Sequence, residues 1–192
     1  MTIDQEKPKK RKIAWGITGA GDKIGEFLEV MEKIKKQYND RLDIHVFVSK
    51  AGETVLKFYN LESKLRQTFE KVYVEVNANA PFLAAWLQMG KYAFLLIAPA
   101  TSNTVAKIAN SIGDTMLTNA AIMSLKAFVP VYIAPTDFKE GVVSTKLPNG
   151  KYMKLRVRKE EVEQVEKLRG MDGIHLLEDP LKVAKVLEEW FD

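Results

Sequence analysis

A single doubly wound α/β domain over residues 12–192 is predicted by three features of the chain. First, apolar runs of strand length alternate with amphipathic helical patterns from end to end, with no repeat and no internal linker, the pattern of a parallel sheet built from crossovers. Second, Leu95-Leu96-Ile97-Ala98 is a continuous apolar run of the kind a fully buried parallel strand needs. A polar turn and a helical pattern follow it directly. Third, Asn149-Gly150 between apolar and alternating segments is the strongest short hairpin signal in the chain, and it predicts an excursion from the sheet near the C-terminus.

Residues 13–18 read as the first buried strand and Gly19-Ala20-Gly21-Asp22 as its turn. Ile24, Phe27, Leu28, Met31 and Ile34 then recur at the spacing of one helix face, with Asp22 placed to cap that helix. Residues 43–49 form the second strand, in which His45 reads as structural. Residues 53–69 are helical with a break near Asn60, 71–76 alternate as a strand, and 82–89 form a short helix whose Trp86 reads as core. The fourth strand turns at Pro99, which has no N–H to give to a ladder. Val105, Ile108 and Ala109 share one face of the next helix, which is interrupted at 111–114, where Gly113-Asp114 offers a turn and an N-cap. The pattern resumes over 116–127 with Leu117, Ala121 and Leu125 inward. Residues 128–134 are the fifth strand, opening into a loop at 135–141 on the same sheet edge as the others. The hairpin strands are 142–146 and 152–157, placed over the ligand or toward a neighbouring subunit. A charged helix at 160–169, a short strand at 174–177 containing a structural His175, and a last helix begun by Asp179-Pro180 complete the order.

Composition narrows the chemistry. At 192 residues and 46% apolar content the chain has the size of one globular domain with a real core. It contains no cysteine, which excludes disulfides, thiolate zinc sites, cysteine nucleophiles and cysteine-ligated clusters, and two histidines do not make the usual multi-histidine centre. No metal site is expected. The apolar runs fall short of a membrane span and no signal-peptide pattern appears, so no membrane partner and a cytoplasmic location are expected. Lys7, Lys9, Lys10, Arg11 and Lys12 form a basic run around Pro8, and residues 1–11 read as a basic, disordered leader. No aromatic interleaving accompanies this or the later basic residues, so nucleic acid is not an expected partner.

Ligands of open α/β sheets sit beyond the carboxyl ends of the strands. There Thr101, Ser102 and Thr104 offer hydroxyls, Asn103 an amide, and the helix start its free N–H groups, which suits a phosphorylated or otherwise anionic polar ligand. A helix cap needs one such residue, and four stand in a row. Gly19, Gly21 and Gly25 add a glycine pattern that lets backbone turn tightly and approach a phosphate. The second strand ends in Ser49-Lys50, without the acidic residue by which an NAD site holds the ribose hydroxyls, while Lys50 leaves NADP open.

Pro99-Ala100-Thr101-Ser102-Asn103-Thr104, followed by Ala106-Lys107-Ile108-Ala109-Asn110, resembles the Pro-Ala-Ser-Ala-Asn-Thr motif of the flavoprotein family that includes the FMN-dependent cysteine decarboxylases. From about Lys12 to the C-terminus the chain is most similar to the archaeal branch called archaeoflavoproteins. The resemblance implies a Rossmann-like or flavodoxin-like sheet with FMN as cofactor. It implies that Gly19, Ala20 and Gly21 contact the cofactor through backbone, that Ser49 sits close by, and that Thr101, Ser102, Asn103 and Thr104 add contacts. Thr101 and Ser102 stand where the family motif has serine and alanine, which keeps one hydroxyl and adds another.

The glycine pattern alone supports a dinucleotide site about as well as an FMN site. The decarboxylase members share a histidine on the helix before the fourth strand and a Pro-x-Met-Asn-x-x-Met-Trp clamp after the fifth. Ala85 stands in the histidine's register and the fifth-strand exit lacks the clamp, which argues against decarboxylation. The prenylated-flavin transferases carry an arginine at that exit, where this chain has Ala134 and Pro135. No catalytic residue is assigned. What the resemblance implies is electron transfer from a ferredoxin-like donor in a homo-oligomer of trimers or a multiple, and a small oxidised substrate such as a pterin is the acceptor expected. A basic chain steers an acidic donor. The alternatives are a decarboxylase or prenyltransferase relative, and a non-catalytic NADP- or nucleotide-binding module that would leave the fourth-strand motif idle.

Overall fold

The computed structural model describes residues 10–191. Its strands are β1 (Arg11–Ile17), β2 (Leu42–Val48), β3 (Lys71–Val74), β4 (Leu95–Ala100), β5 (Val131–Pro135), β6 (Gly141–Lys146), β7 (Tyr152–Val157) and β8 (Ile174–Leu176). Its helices are α1 (Ile24–Gln37), α2 (Lys50–Phe58), α3 (Glu62–Thr68), α4 (Leu83–Gln88), α5 (Ser102–Ala109), α6 (Met116–Lys126), α7 (Lys159–Arg169) and α8 (Pro180–Phe191). Six strands form one parallel sheet in the order β3-β2-β1-β4-β5-β8. The order reverses between β1 and β4, so the chain leaves these two neighbours in opposite directions and opens a crevice above them.

Strand side chains alternate between faces, and two cores result. Ile13, Trp15 and Ile17 of β1 pack with α1, α2, α3 and α8 on one face. Ala14 of β1 joins Leu95 and Ile97 of β4 and helices α4 to α7 on the other. The doubly wound sheet expected from the alternation is therefore the sheet observed. The antiparallel pair β6–β7 stands apart as its own two-stranded sheet, and Asn149-Gly150 turns it, with Gly150 at φ 79°. The break near Asn60 is real: that residue has φ 56° and separates α2 from α3.

Several local expectations are corrected. Pro99 does not end its strand. β4 runs on to Ala100, and the missing N–H falls at an irregularity where pairing with β5 shifts register between Ile97 and Ala100. Three carbonyls there are instead satisfied from other segments: Trp15 Nε1 donates to Ala98 O at 2.7 Å, Thr18 Oγ1 to Pro99 O at 2.8 Å, and Thr136 N to Ala100 O at 3.0 Å. Asp22 does not cap α1, because Lys23 occupies the N-cap in a left-handed conformation with no side-chain bond. Thr115, not Asp114, caps α6, and Asp114 pairs with Lys107. The fifth strand begins at Val131, since Phe128 is in the left-handed region and 94% exposed. The basic leader lies outside the described residues up to position 9, and at its other end Arg11 is already the first residue of β1.

His45 is buried in the middle of β2, between β1 and β3, its ring nitrogens bonded to Tyr92 and Asp43. Trp86 packs against Phe47 and Tyr73, with the Lys91 ammonium 3.6 Å from its ring centre. His175 stacks on Tyr132. Among the described residues no helix is long and apolar enough to cross a membrane.

Candidate functional site

The crevice at the β1/β4 reversal is a cavity of about 360 Å³. Its polar wall is built by Gly19, Ala20, Gly21 and Asp22 after β1, Thr101 and Ser102 after β4, and Thr136 and Asp137 after β5. The apolar wall comes from Val55, Phe58 and Tyr59 of α2 and its exit, and from Val143, Leu147, Met153 and Leu155 of the hairpin. Thr145 of the hairpin donates to Asp22 Oδ1 at 3.3 Å and holds the flap against the first loop. Of the two placements expected for the hairpin, the structure shows the one over the crevice.

Thr18 joins the two loops. Buried at the end of β1, its hydroxyl donates to Pro99 O and accepts from Thr101 N at 3.0 Å. Thr101 in turn caps α5, accepting from Thr104 N at 3.2 Å, and its hydroxyl lies 3.0 Å from that of Thr104. Thr101 and Thr104 therefore serve the helix start, as a cap requires. What they leave over is a set of backbone donors. The N–H groups of Gly19, Ala20 and Gly21, and those of Ser102 and Asn103 that precede the first intrahelical bond, find no acceptor among the described residues. Unpaired donors of this kind at the positive end of a helix make an anion site.

The structure thus brings Gly19, Ala20, Gly21, Thr101 and Ser102 to one cavity, while Ser49, Asn103 and Thr104 are not part of its wall. Ser49 caps α2, accepting from Gly52 N at 3.0 Å. Asn103 is exposed and Thr104 buried. The glycines have a packing reason that the sequence did not disclose. A Cβ on Gly19 would lie 2.7 Å from that of Ala51, and one on Gly21 would lie 2.7 Å from the Tyr59 hydroxyl, so both let α2 close on the loop. Sequence reasoning also passed over Thr18, Tyr59, Thr136 and Asp137, and it offered the hairpin as a cover for the ligand without assigning its residues to the site. Only the position of the loop at 135–141 on the same sheet edge signalled Asp137.

Asp137 is the perturbed acid of the site. Burial pushes its carboxyl above the ordinary aspartate range, the charges of Glu161 and Asp22 push the same way, and a hydrogen bond from Ser102 pulls it partly back. Tyr59 is raised for the same two reasons, burial and then Asp22. Because the folded chain keeps the Asp137 proton after the unfolded chain has released it, stability falls as pH rises from the ordinary aspartate range through the raised value. Asp137→Asn is expected to flatten that fall and to raise the urea midpoint at pH 7. Urea midpoints of both proteins from pH 4 to 8 test this, and parallel profiles would contradict it.

Comparison with known proteins fits this geometry. The Flavoprotein family model matches residues 1–189. An uncharacterised protein of Methanocaldococcus jannaschii is 51% identical over 176 residues, 92% of this chain and 94% of the relative. The dihydromethanopterin reductase (acceptor) of the same organism is 41% identical over 143 residues, and the aligned part covers 71% of this chain but only 58% of that protein. Among solved structures, Burkholderia xenovorans DmrB in complex with FMN, described as a cubic protein cage for redox transfer, superposes with a TM-score of 0.80 at 30% identity, covering 95% of this chain and 96% of that one. The chain belongs to the Flavoprotein family.

Proposed function

We propose that the chain holds FMN in the β1/β4 cavity and works as an electron-transfer flavoprotein, taking electrons from a ferredoxin-like donor and passing them to a small oxidised substrate such as a pterin. The observation that carries this reading is the row of backbone donors without protein acceptors at Gly19, Ala20, Gly21, Ser102 and Asn103. A phosphate monoester accepts such bonds strongly because it is charged. The opposite wall, with Phe58, Met153 and Leu155, suits a flat aromatic ring, so the cavity offers both chemistries FMN has. Family membership and the likeness to DmrB, solved with FMN, support the cofactor.

When bound, the flavin supplies the redox chemistry, and the protein's part is to bind, orient and exclude water. Gly19 to Gly21 and Ser102 hold the anionic end, and Thr18 keeps their two loops in register. Ser49 and Thr104 act beneath the site by fixing the starts of α2 and α5. Burial at the cavity wall favours the protonated form of the Asp137 carboxyl. The relatives named dihydromethanopterin reductase support a pterin as acceptor. The DmrB cage supports a homo-oligomer.

Anaerobic mixing of the FMN-loaded protein with reduced ferredoxin tests the reading. The oxidised-flavin absorbance is expected to bleach and to return on addition of a dihydropterin. A protein that dithionite bleaches and ferredoxin does not would overturn the donor. Bleaching without return would overturn the acceptor.

A further inference from the structure

Residues 141–157 carry four cations, Lys146, Lys151, Lys154 and Arg156, and no carboxylate. That count equals the formal net charge of the whole chain, +4, so the rest of the sequence sums to zero, its own basic run at 7–12 offset elsewhere. Several basic side chains on the helices pair with neighbouring acids, as in Lys36–Glu32, Arg66–Glu62, Lys107–Asp114 and Arg169–Glu166. Lys146, Lys154 and Arg156 have no ion-pair partner among the described residues, and all three are exposed.

Their arrangement follows from the ladder register. Val142 pairs with Arg156, Ser144 with Lys154, and Lys146 with Tyr152, so these six residues share one face of the two-stranded sheet. The opposite face carries Val143, Thr145, Met153 and Leu155 and lines the cavity. The outer face thus presents three cations around two exposed apolar residues, Val142 at 69% and Tyr152 at 67% exposure. Asp22 of the first loop and Glu26 of α1 share a second cleft with Lys146 and Tyr152, and Glu140 directly precedes β6.

We infer that this outer face docks a small acidic protein that delivers single electrons. The inference rests on the proposed electron-transfer function and adds where the donor sits. Charge complementarity selects an acidic partner and speeds the encounter. Val142 and Tyr152 supply the apolar centre such contacts use. A donor seated there is separated from the cavity by one β-layer, about 10 Å by the spacing of stacked sheets. Each encounter oxidises one donor by one electron, and two encounters complete a two-electron reduction, with the protons taken from solvent.

The test is stopped-flow reduction of the FMN-loaded protein by a reduced two-cluster bacterial ferredoxin across a salt series. The native chain is compared with the triple variant Lys146→Gln, Lys154→Gln, Arg156→Gln. A second triple variant, Lys33→Gln, Lys126→Gln, Lys182→Gln, controls for net charge. The hairpin variant is expected to lose tenfold or more of the second-order rate at low salt and most of the salt dependence, while FMN content and reduction by dithionite stay native. The helix variant is expected to keep most of the rate. A hairpin variant that accepts electrons at the native rate with the native salt slope would overturn the docking face alone. A native protein that dithionite reduces and ferredoxin does not would overturn the donor reading with it. A hairpin variant with a changed oligomeric state in gel filtration would make this face a subunit contact and overturn the inference.

Discussion

Ser102→Pro is expected to leave the chain folded and to weaken FMN binding by roughly 10- to 100-fold. Ser102 is the first residue of α5, the one helical position where proline costs little, because its N–H has no intrahelical acceptor. The residue before a proline must be extended, and the Thr101 cap already is, at φ −66° and ψ 154°. The substitution therefore removes the N–H and the hydroxyl of Ser102 from the cavity and little else from the fold. A hydrogen bond to a charged group is worth about 1.5–3 kcal/mol, which sets the range. Ser102→Ala separates the two roles of the residue, since it loses the hydroxyl that favours the ionised form of Asp137 and keeps the N–H. If backbone donors hold the phosphate, the proline variant is the weaker binder. Equal affinities in a fluorescence titration would remove Ser102 N–H from the site.

Gly52→Ala is expected to destabilise the protein by about 1–3 kcal/mol, against the usual gain from replacing a helical glycine. A Cβ at this position in α2 would lie 2.6 Å from Ile17 O and 3.2 Å from Thr18 O, both backbone atoms of the first strand and its exit. Neither can swing aside, so α2 must move off β1 and carry the Gly19 turn with it. Helix propensity offers alanine at most about 1 kcal/mol in return. FMN affinity falls along with stability, because the turn is part of the cavity wall. Gly25→Ala is the matched control. It lies in α1 with nothing within 4 Å of the added carbon, so the same chemical change there stabilises by up to about 1 kcal/mol. Urea midpoints for the two variants should move in opposite directions, and a shared direction would contradict this account of the glycines.

The alternation of buried runs and amphipathic patterns made the layers legible, because each strand of a doubly wound sheet is apolar on both faces. The Asn149-Gly150 turn made the hairpin legible for a local reason, its positive φ. Pro99 misled because the donors that satisfy the β4 irregularity come from Trp15 on β1 and from Thr18 and Thr136 at the exits of β1 and β5. Gly19 and Gly21 pointed to the right loop for an incomplete reason, since the space they leave is taken by Ala51 and Tyr59. Ser49 and Thr104 were legible as hydroxyls at strand exits, but no sequence pattern separates a hydroxyl that caps a helix from one that faces a cavity. Asp137 and the hairpin wall enter the site through the crossing of β5 and the fold-back of β6–β7, which residue types alone do not encode.

The most direct test of the central claim is the absorbance spectrum of the purified 192-residue chain before and after titration with FMN, with mass analysis of whatever is released on denaturation. Two flavin bands, release of FMN, and saturation at one FMN per chain are the results this account predicts. A colourless protein that leaves added FMN unbound would contradict it, and the donors at Gly19, Ala20, Gly21 and Ser102 would then belong to another anion.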